Sequence, residues 1–284
     1  MQLGFTTMNT PDDPPPGELA AALEAHGYDS LWIGEHSHIP AVRRTPYPAG
    51  GDMPEQYTRM MDPLLSLVAA AQTTETLLLA TGVALPLEHD LFALAKAVTT
   101  LDHLSGGRVV FGVGVGWNEE ELADHRPDIA WRSRYRALAE AVAALRSLWT
   151  DDEATFHGRW FDFDGALAFP KPVQRPHPPV YCGAGGRIGT AQAAEWGDGW
   201  APMDVALGDV AKRIAQFRDR TAEAGRNVPI TLFTFGDPDL ATLRGYRDLG
   251  VERVVVGANR TGWDDPATTM PFVEAHASMV DALR

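Results

Sequence analysis

Eight short apolar runs recur along this chain, and a stretch with helical spacing follows each one. The runs are Leu3–Thr6, Asp29–Gly34, Leu77–Leu85, Arg108–Val113, Val180–Gly183, Gly199–Pro202, Pro229–Phe235 and Arg253–Val256. The spacing predicts helices over 17–26, 63–75, 91–104, 131–149, 189–196, 207–224, 239–249 and 268–283. In the fourth of these, Tyr135, Leu138, Val142, Leu145 and Leu148 recur at intervals of three and four, which places them on one helical face. Strands that alternate with helices pair in parallel. Runs such as VVFGVGV and VVVG are apolar throughout, as strands buried on both faces require. Eight such pairs in 284 residues fit one (β/α)8 TIM barrel spanning 1–284, with an open doubly wound sheet as the alternative. Two segments interrupt the rhythm. A Pro- and Gly-rich loop, 35–61, follows strand two, and an irregular insertion, 150–178, precedes strand five.

Composition narrows the function. Asp and Glu number 38 against 24 Lys and Arg, a net charge of −14, with no basic stripe to hold nucleic acid. Hydrophobic residues at 45% and charged residues at 22% describe a folded globular chain. One cysteine cannot form an internal disulfide. No signal peptide and no long apolar span is visible, so a cytoplasmic protein without membrane contact is expected.

A barrel places its chemistry at the C-terminal ends of its strands. Strand two ends in Glu35-His36-Ser37-His38. A His-x-His pair could hold a metal, but further ligands on later strands are missing, and no metal is expected. His36 is the candidate for hydrogen bonding to a cofactor or substrate. Strand four ends in Gly112-Val113-Gly114-Val115-Gly116-Trp117-Asn118. Its alternate glycines either let a flat ligand approach the backbone or fit the barrel interior. Gly183-Ala184-Gly185-Gly186, with Arg187 beside it, opens a helix. That junction is either a phosphate site or a tight turn.

Taken together, LWIGEH, ATGVALPL, LDHLSGGRVVFGVGVGWNEEEL and KPVQRPHPPVYCGAGG resemble the luciferase-like monooxygenase superfamily, most closely its branch using the deazaflavin coenzyme F420. The resemblance runs from Leu3 to about Gly257. It implies a (β/α)8 barrel and a hydride-transferring oxidoreductase acting on a small molecule. It implies that His36 is catalytic and approaches the ring, with Glu35 beside it. It places a non-prolyl cis peptide at Gly82-Val83, and ring or substrate contacts at Gly114, Trp117 and Asn118. It places the coenzyme phosphate at Gly185 and Gly186 beside Arg187. Sugar-phosphate dehydrogenases of this family carry a glutamate directly after the strand-four glycines. Here Trp117 stands there, and the chain has only Lys96, Lys171 and Lys212. Both departures count against sugar-phosphate oxidation. The excess of arginine over lysine fits a GC-rich genome and favours F420.

The alternatives are an FMN-dependent monooxygenase fed by a partner reductase and a non-catalytic deazaflavin carrier. The resemblance also implies a homodimer, to which the broadly apolar stretch Leu64–Ala71 could contribute. The loop 35–61 is expected to be a mobile lid, with Arg43, Arg44 and Arg59 facing the acidic coenzyme tail.

Overall fold

The chain alternates strands and helices from end to end. The computed structural model describes all residues, 1–284. In order it runs β1 (Gln2–Thr7), α1 (Pro16–Ala25), β2 (Ser30–Ile33), α2 (Pro63–Ala71), β3 (Leu78–Thr81), α3 (Leu91–Leu104) and β4 (Val109–Val113). There follow α4 (Glu119–His125), α5 (Arg134–Thr150), β5 (Ala154–His157), β6 (Asp162–Ala166), β7 (Val180–Cys182) and α6 (Arg187–Glu195). The chain closes with β8 (Gly199–Trp200), α7 (Val210–Glu223), β9 (Thr231–Phe235), α8 (Leu240–Asp248), β10 (Arg253–Ala258) and α9 (Thr269–Leu283).

Eight of the strands form one parallel sheet in the order β8-β7-β4-β3-β2-β1-β10-β9. Its two ends meet through the parallel bridges Trp200–Ile230 and Met203–Phe233, so the sheet is a nearly closed barrel. Strand alternation divides the core in two. Trp32, Ala80, Val110, Tyr181, Phe233 and Val255, with Ala201, fill the barrel interior. Their neighbours, such as Leu31, Leu79, Phe111, Cys182 and Val254, face outward beneath the helices.

Side-chain caps set several helix starts. Asp62, Asp90, Asp209 and Asp239 each accept a backbone N–H three residues on. The run Ser105-Gly106-Gly107-Arg108 lies at the other end of the barrel from the strand C-termini. The Arg108 guanidinium donates to the carbonyls of Ala71, Thr74, Leu77 and Ser105 and to the Thr74 hydroxyl. That motif ties the α2–β3 turn to the start of β4, a structural task.

Two elements differ from the sequence expectation. The insertion is not wholly irregular: β5 and β6 form an antiparallel hairpin in which Phe156 lies opposite Phe163 and stacks on it, ring centroids 6.2 Å apart. Glu119–His125 forms a helix, α4, that the sequence pattern does not assign. Strand three is also shorter than its apolar run, because the chain leaves the sheet after Thr81 and makes a 3-10 turn at Pro86–Glu88. No helix is long and apolar enough to cross a membrane.

Candidate active site

Two adjoining clefts open at the C-terminal ends of the strands. One, about 760 Å3 measured to its open mouth, lies against Thr6, His36, Met60, Phe233 and Trp263. The other, about 1030 Å3 on the same measure, lies against Tyr47, Gly114, Tyr135, Gly183 and Ala184. Both touch Tyr57, Val83, Gly116, Trp117, Met203 and Phe235, so they form one groove across the barrel mouth. The peptide bond between Gly82 and Val83 is cis, as the resemblance implies.

Val83 lines the groove, and two neighbouring glycines explain its seat. A Cβ added at Gly114 would stand 2.5 Å from Val83 Cγ2, and one at Gly183 would stand 2.3 Å from Val83 Cγ1. A Cβ at Gly112 would stand 2.1 Å from the Thr81 carbonyl oxygen. The glycines of strand four therefore make room first for strand three and the residue after its end. Gly114 borders the groove as well.

His36 is anchored from both ring nitrogens. The Trp117 indole N–H donates to His36 Nε2 at 3.0 Å. Indole nitrogen only donates, so Nε2 accepts and Nδ1 carries the proton. Nδ1–H then donates to Glu121 Oε2 at 2.7 Å. The His36 side chain is 7% exposed and that of Glu121 is 1% exposed. Glu121 was not among the residues singled out from the sequence. Helix α4, which carries it, turns the position three residues after Asn118 back toward strand two.

Glu35 is buried and does not face the groove with its carboxylate alone. It accepts the Leu85 backbone N–H at 2.6 Å and pairs with His89 Nε2 at 2.7 Å. That hydrogen bond raises His89 above its usual range. Burial, with Glu121 and Glu35 close by, pushes the Glu88 carboxyl up to about 9. Asn118 is buried and lines neither cleft, and its amide nitrogen and oxygen have no partner. His38 turns away from His36, toward Asp124 and Ser37, at the surface.

The loop after β2 lies over the groove. Tyr47 and Tyr57 pack edge-on against each other and against Trp117, and Tyr57 also packs against His36. Glu120 fastens the loop by accepting the Arg44 N–H at 2.9 Å and the Thr45 hydroxyl at 2.7 Å. These bonds hold its carboxyl at about 2. The loop arginines do not converge. Arg43 lies over the Trp117 ring, Arg44 points to Glu120, and Arg59 pairs with Asp12.

At the far end of the groove, beyond Gly183 and Ala184, helix α6 begins. Gly186 is its N-cap and no side chain caps it. A Cβ at Gly186 would meet open space, whereas one at Gly185 would stand 3.0 Å from Ala206 Cβ. Arg187 lies outside the groove, on a polar surface with Arg213 and Arg220. An uncapped helix start next to a groove can hold an anionic group.

The barrel thus carries one groove at its strand ends, with an anchored histidine in it and an uncapped helix start near its far end. The luciferase-like monooxygenase family model matches residues 14–242, and the chain belongs to that family. It is 40% identical over 262 residues to an uncharacterised protein of Mycobacterium tuberculosis, covering 89% of this chain and 90% of that one. It is 31% identical over 142 residues to the FMNH2-dependent dimethylsulfone monooxygenase of Pseudomonas putida, covering 50% of this chain and 39% of that one. It is 29% identical over 214 residues to the F420-dependent hydroxymycolic acid dehydrogenase of M. tuberculosis, covering 75% of this chain and 55% of that one. An F420-dependent secondary alcohol dehydrogenase, solved with an F420-acetone adduct, shares the fold with a TM-score of 0.75 at 19% identity, covering 100% of this chain and 99% of that one. Relatives using F420 and relatives using FMN are thus both present.

Proposed function

We propose that this protein is an F420-dependent oxidoreductase that moves a hydride between the deazaflavin ring and a small organic substrate. The groove supports this: it runs unbroken from His36 and Trp117, across Val83, to Gly183 and Ala184, two residues before Gly186, the uncapped start of α6. A long, flat molecule with one anionic end fits that shape. When bound, the coenzyme supplies a ring carbon that accepts or gives the hydride.

The protein's own residues do the rest. Val83, seated between Gly114 and Gly183, gives the ring an apolar support. The first-turn amides after Gly186 receive the phosphate. Tyr47, Tyr57 and Trp117 exclude water from the groove, and the loop that carries the tyrosines is the lid. His36, with Nδ1–H held by Glu121, would exchange a proton with the substrate at Nε2 once the Trp117 indole N–H gives up that lone pair.

A second reading is an FMN-dependent monooxygenase served by a reductase. The similarity to the dimethylsulfone monooxygenase favours it. Absorbance and fluorescence titration of the purified protein with F420 and with FMN separates the two. Saturable F420 binding at concentrations where FMN does not bind supports the first reading. The reverse order supports the second.

A further inference from the structure

Behind His36 three carboxylates come together from three segments. Glu35 follows β2, Glu88 ends the 3-10 turn, and Glu121 lies in the first turn of α4. Glu35 and Glu88 are each 9% exposed and Glu121 is fully buried. Two histidines face them. His36 pairs with Glu121 and His89 pairs with Glu35. His125 bears on Glu121 from the outer side of α4, with Asp124 and His38 beyond it. Glu88 itself is paired with no cation, and its Oε2 has no hydrogen-bond partner. Glu121 Oε1 also lacks one, although Oε2 of the same carboxylate accepts from His36.

Such an arrangement is costly if every carboxyl is ionised. Buried like charges without donors are strongly unfavourable, and a neighbouring pair relieves this by keeping one proton between them. One proton on Glu88 supplies the missing donor for Glu121 and removes the excess charge in the same step.

We propose that Glu88 is a neutral carboxylic acid at neutral pH that donates to Glu121, and that Glu121 so held is a positioning residue fixing His36 as its Nδ1–H tautomer. The chain of donors then runs one way, from Trp117 to His36 Nε2 and from His36 Nδ1 to Glu121, with Glu88 donating from behind. Burial and the charges of Glu121 and Glu35 act in the same direction on Glu88. The tautomer leaves the Nε2 lone pair on the groove side, where it accepts the Trp117 indole N–H. Only this last point rests on the proposed function. The protonated Glu88 and the His36 tautomer belong to the protein without any ligand.

Two spectroscopic measurements on the ligand-free protein test the proposal. The first is the infrared carbonyl band of a protonated carboxylic acid, recorded in the native protein and in Glu88→Gln. The band is expected in the native protein at neutral pH, is lost in Glu88→Gln, and disappears in the native protein as pH rises through about 9. The second is the ring nitrogen spectrum of 15N-histidine-labelled protein, with His36→Asn assigning the signals. His36 is expected as the Nδ1–H form. Trp117→Phe keeps that form while Glu121 is present and gives a mixture of tautomers when Glu121→Ala is added, whereas Glu88→Gln, which still offers Glu121 an N–H donor, keeps it. Absence of the acid band at neutral pH overturns the proposal, as does an Nε2–H form of His36 in the native protein. Both native spectra stand even if a variant fails to fold. A failure here leaves coenzyme titration untouched, so it is distinguishable from failure of the proposed function.

Discussion

The seat of Val83 gives a sharp test of why strand four is rich in glycine. In Gly114→Ala the new methyl would stand 2.5 Å from Val83 Cγ2. Carbon atoms settle about 3.5–4.0 Å apart, so one side must move by roughly 1 Å. Overpacking of this kind costs about 1–3 kcal/mol. Gly183→Ala meets Val83 Cγ1 at 2.3 Å and falls in the same class. Val83→Ala removes both offending carbons. The nearest remaining atom of residue 83 is then Cβ, 3.4 Å from the methyl at 114 and 3.5 Å from the methyl at 183, which is close to ordinary contact. In the Val83→Ala background each glycine substitution should therefore cost under about 0.5 kcal/mol. The double-mutant cycle should show a coupling of about 1–2 kcal/mol between residues 83 and 114. Urea unfolding of the native protein, both single variants and the double variant measures it, with midpoints compared at constant slope. An equal cost of Gly114→Ala in both backgrounds would refute the reasoning. So would a Gly114→Ala protein of native stability that has lost only coenzyme binding, because the glycine would then serve the ligand alone.

Three further outcomes follow from the structure. Burial would raise Glu24, but hydrogen bonds from Thr76, Glu75 and Leu77 outweigh it and hold the carboxyl at about 2. Its contribution is therefore present above the ordinary carboxyl range and fades as pH falls from about 4.5 toward 2. Glu24→Gln should lose about 1–2 kcal/mol at neutral pH, discounted for its partial exposure, and flatten the acid limb of the stability profile in denaturant titrations. Glu120→Ala removes the acceptor for Arg44 and Thr45, so limited proteolysis should cut the 40–54 segment faster than in the native protein; an unchanged rate would remove Glu120 as the loop's fastening. Leu65, 72% exposed on α2, is proposed to lie in a homodimer face. Light scattering should give a dimer mass that Leu65→Arg reduces to the monomer, and a monomeric native mass would count against it.

Much of this fold was legible because it is periodic. Eight apolar runs with intervening helical stripes leave few topologies, and the strand-end rule then located His36, Gly114 and Trp117 at the barrel mouth. The hairpin β5–β6 was missed because Gly158, Asp162, Asp164 and Gly165 interrupt its apolar residues. Its only signal is the alternation around Phe156 and Phe163, whose pairing depends on contact across a turn. Glu121 and Glu88 were missed for a different reason. Each is a glutamate in a charged or turn-forming segment, where solvent exposure is the ordinary expectation. Their burial follows from α4 folding over the turn at Pro86–Glu88, a tertiary event that no local pattern encodes. The three arginines of the loop show the converse. They are near in sequence, yet Trp117, Glu120 and Asp12 engage them separately.

The central claim is that His36 serves hydride transfer at a deazaflavin ring. It is tested most directly by following the deazaflavin absorbance of protein loaded with F420 while a panel of small alcohols is added, in the native protein and in His36→Asn. The account predicts that the absorbance bleaches with at least one substrate in the native protein. In His36→Asn the rate should fall by about 10²–10⁴ while coenzyme affinity is kept. Equal rates in the two proteins, or bound F420 that no substrate bleaches, would contradict it.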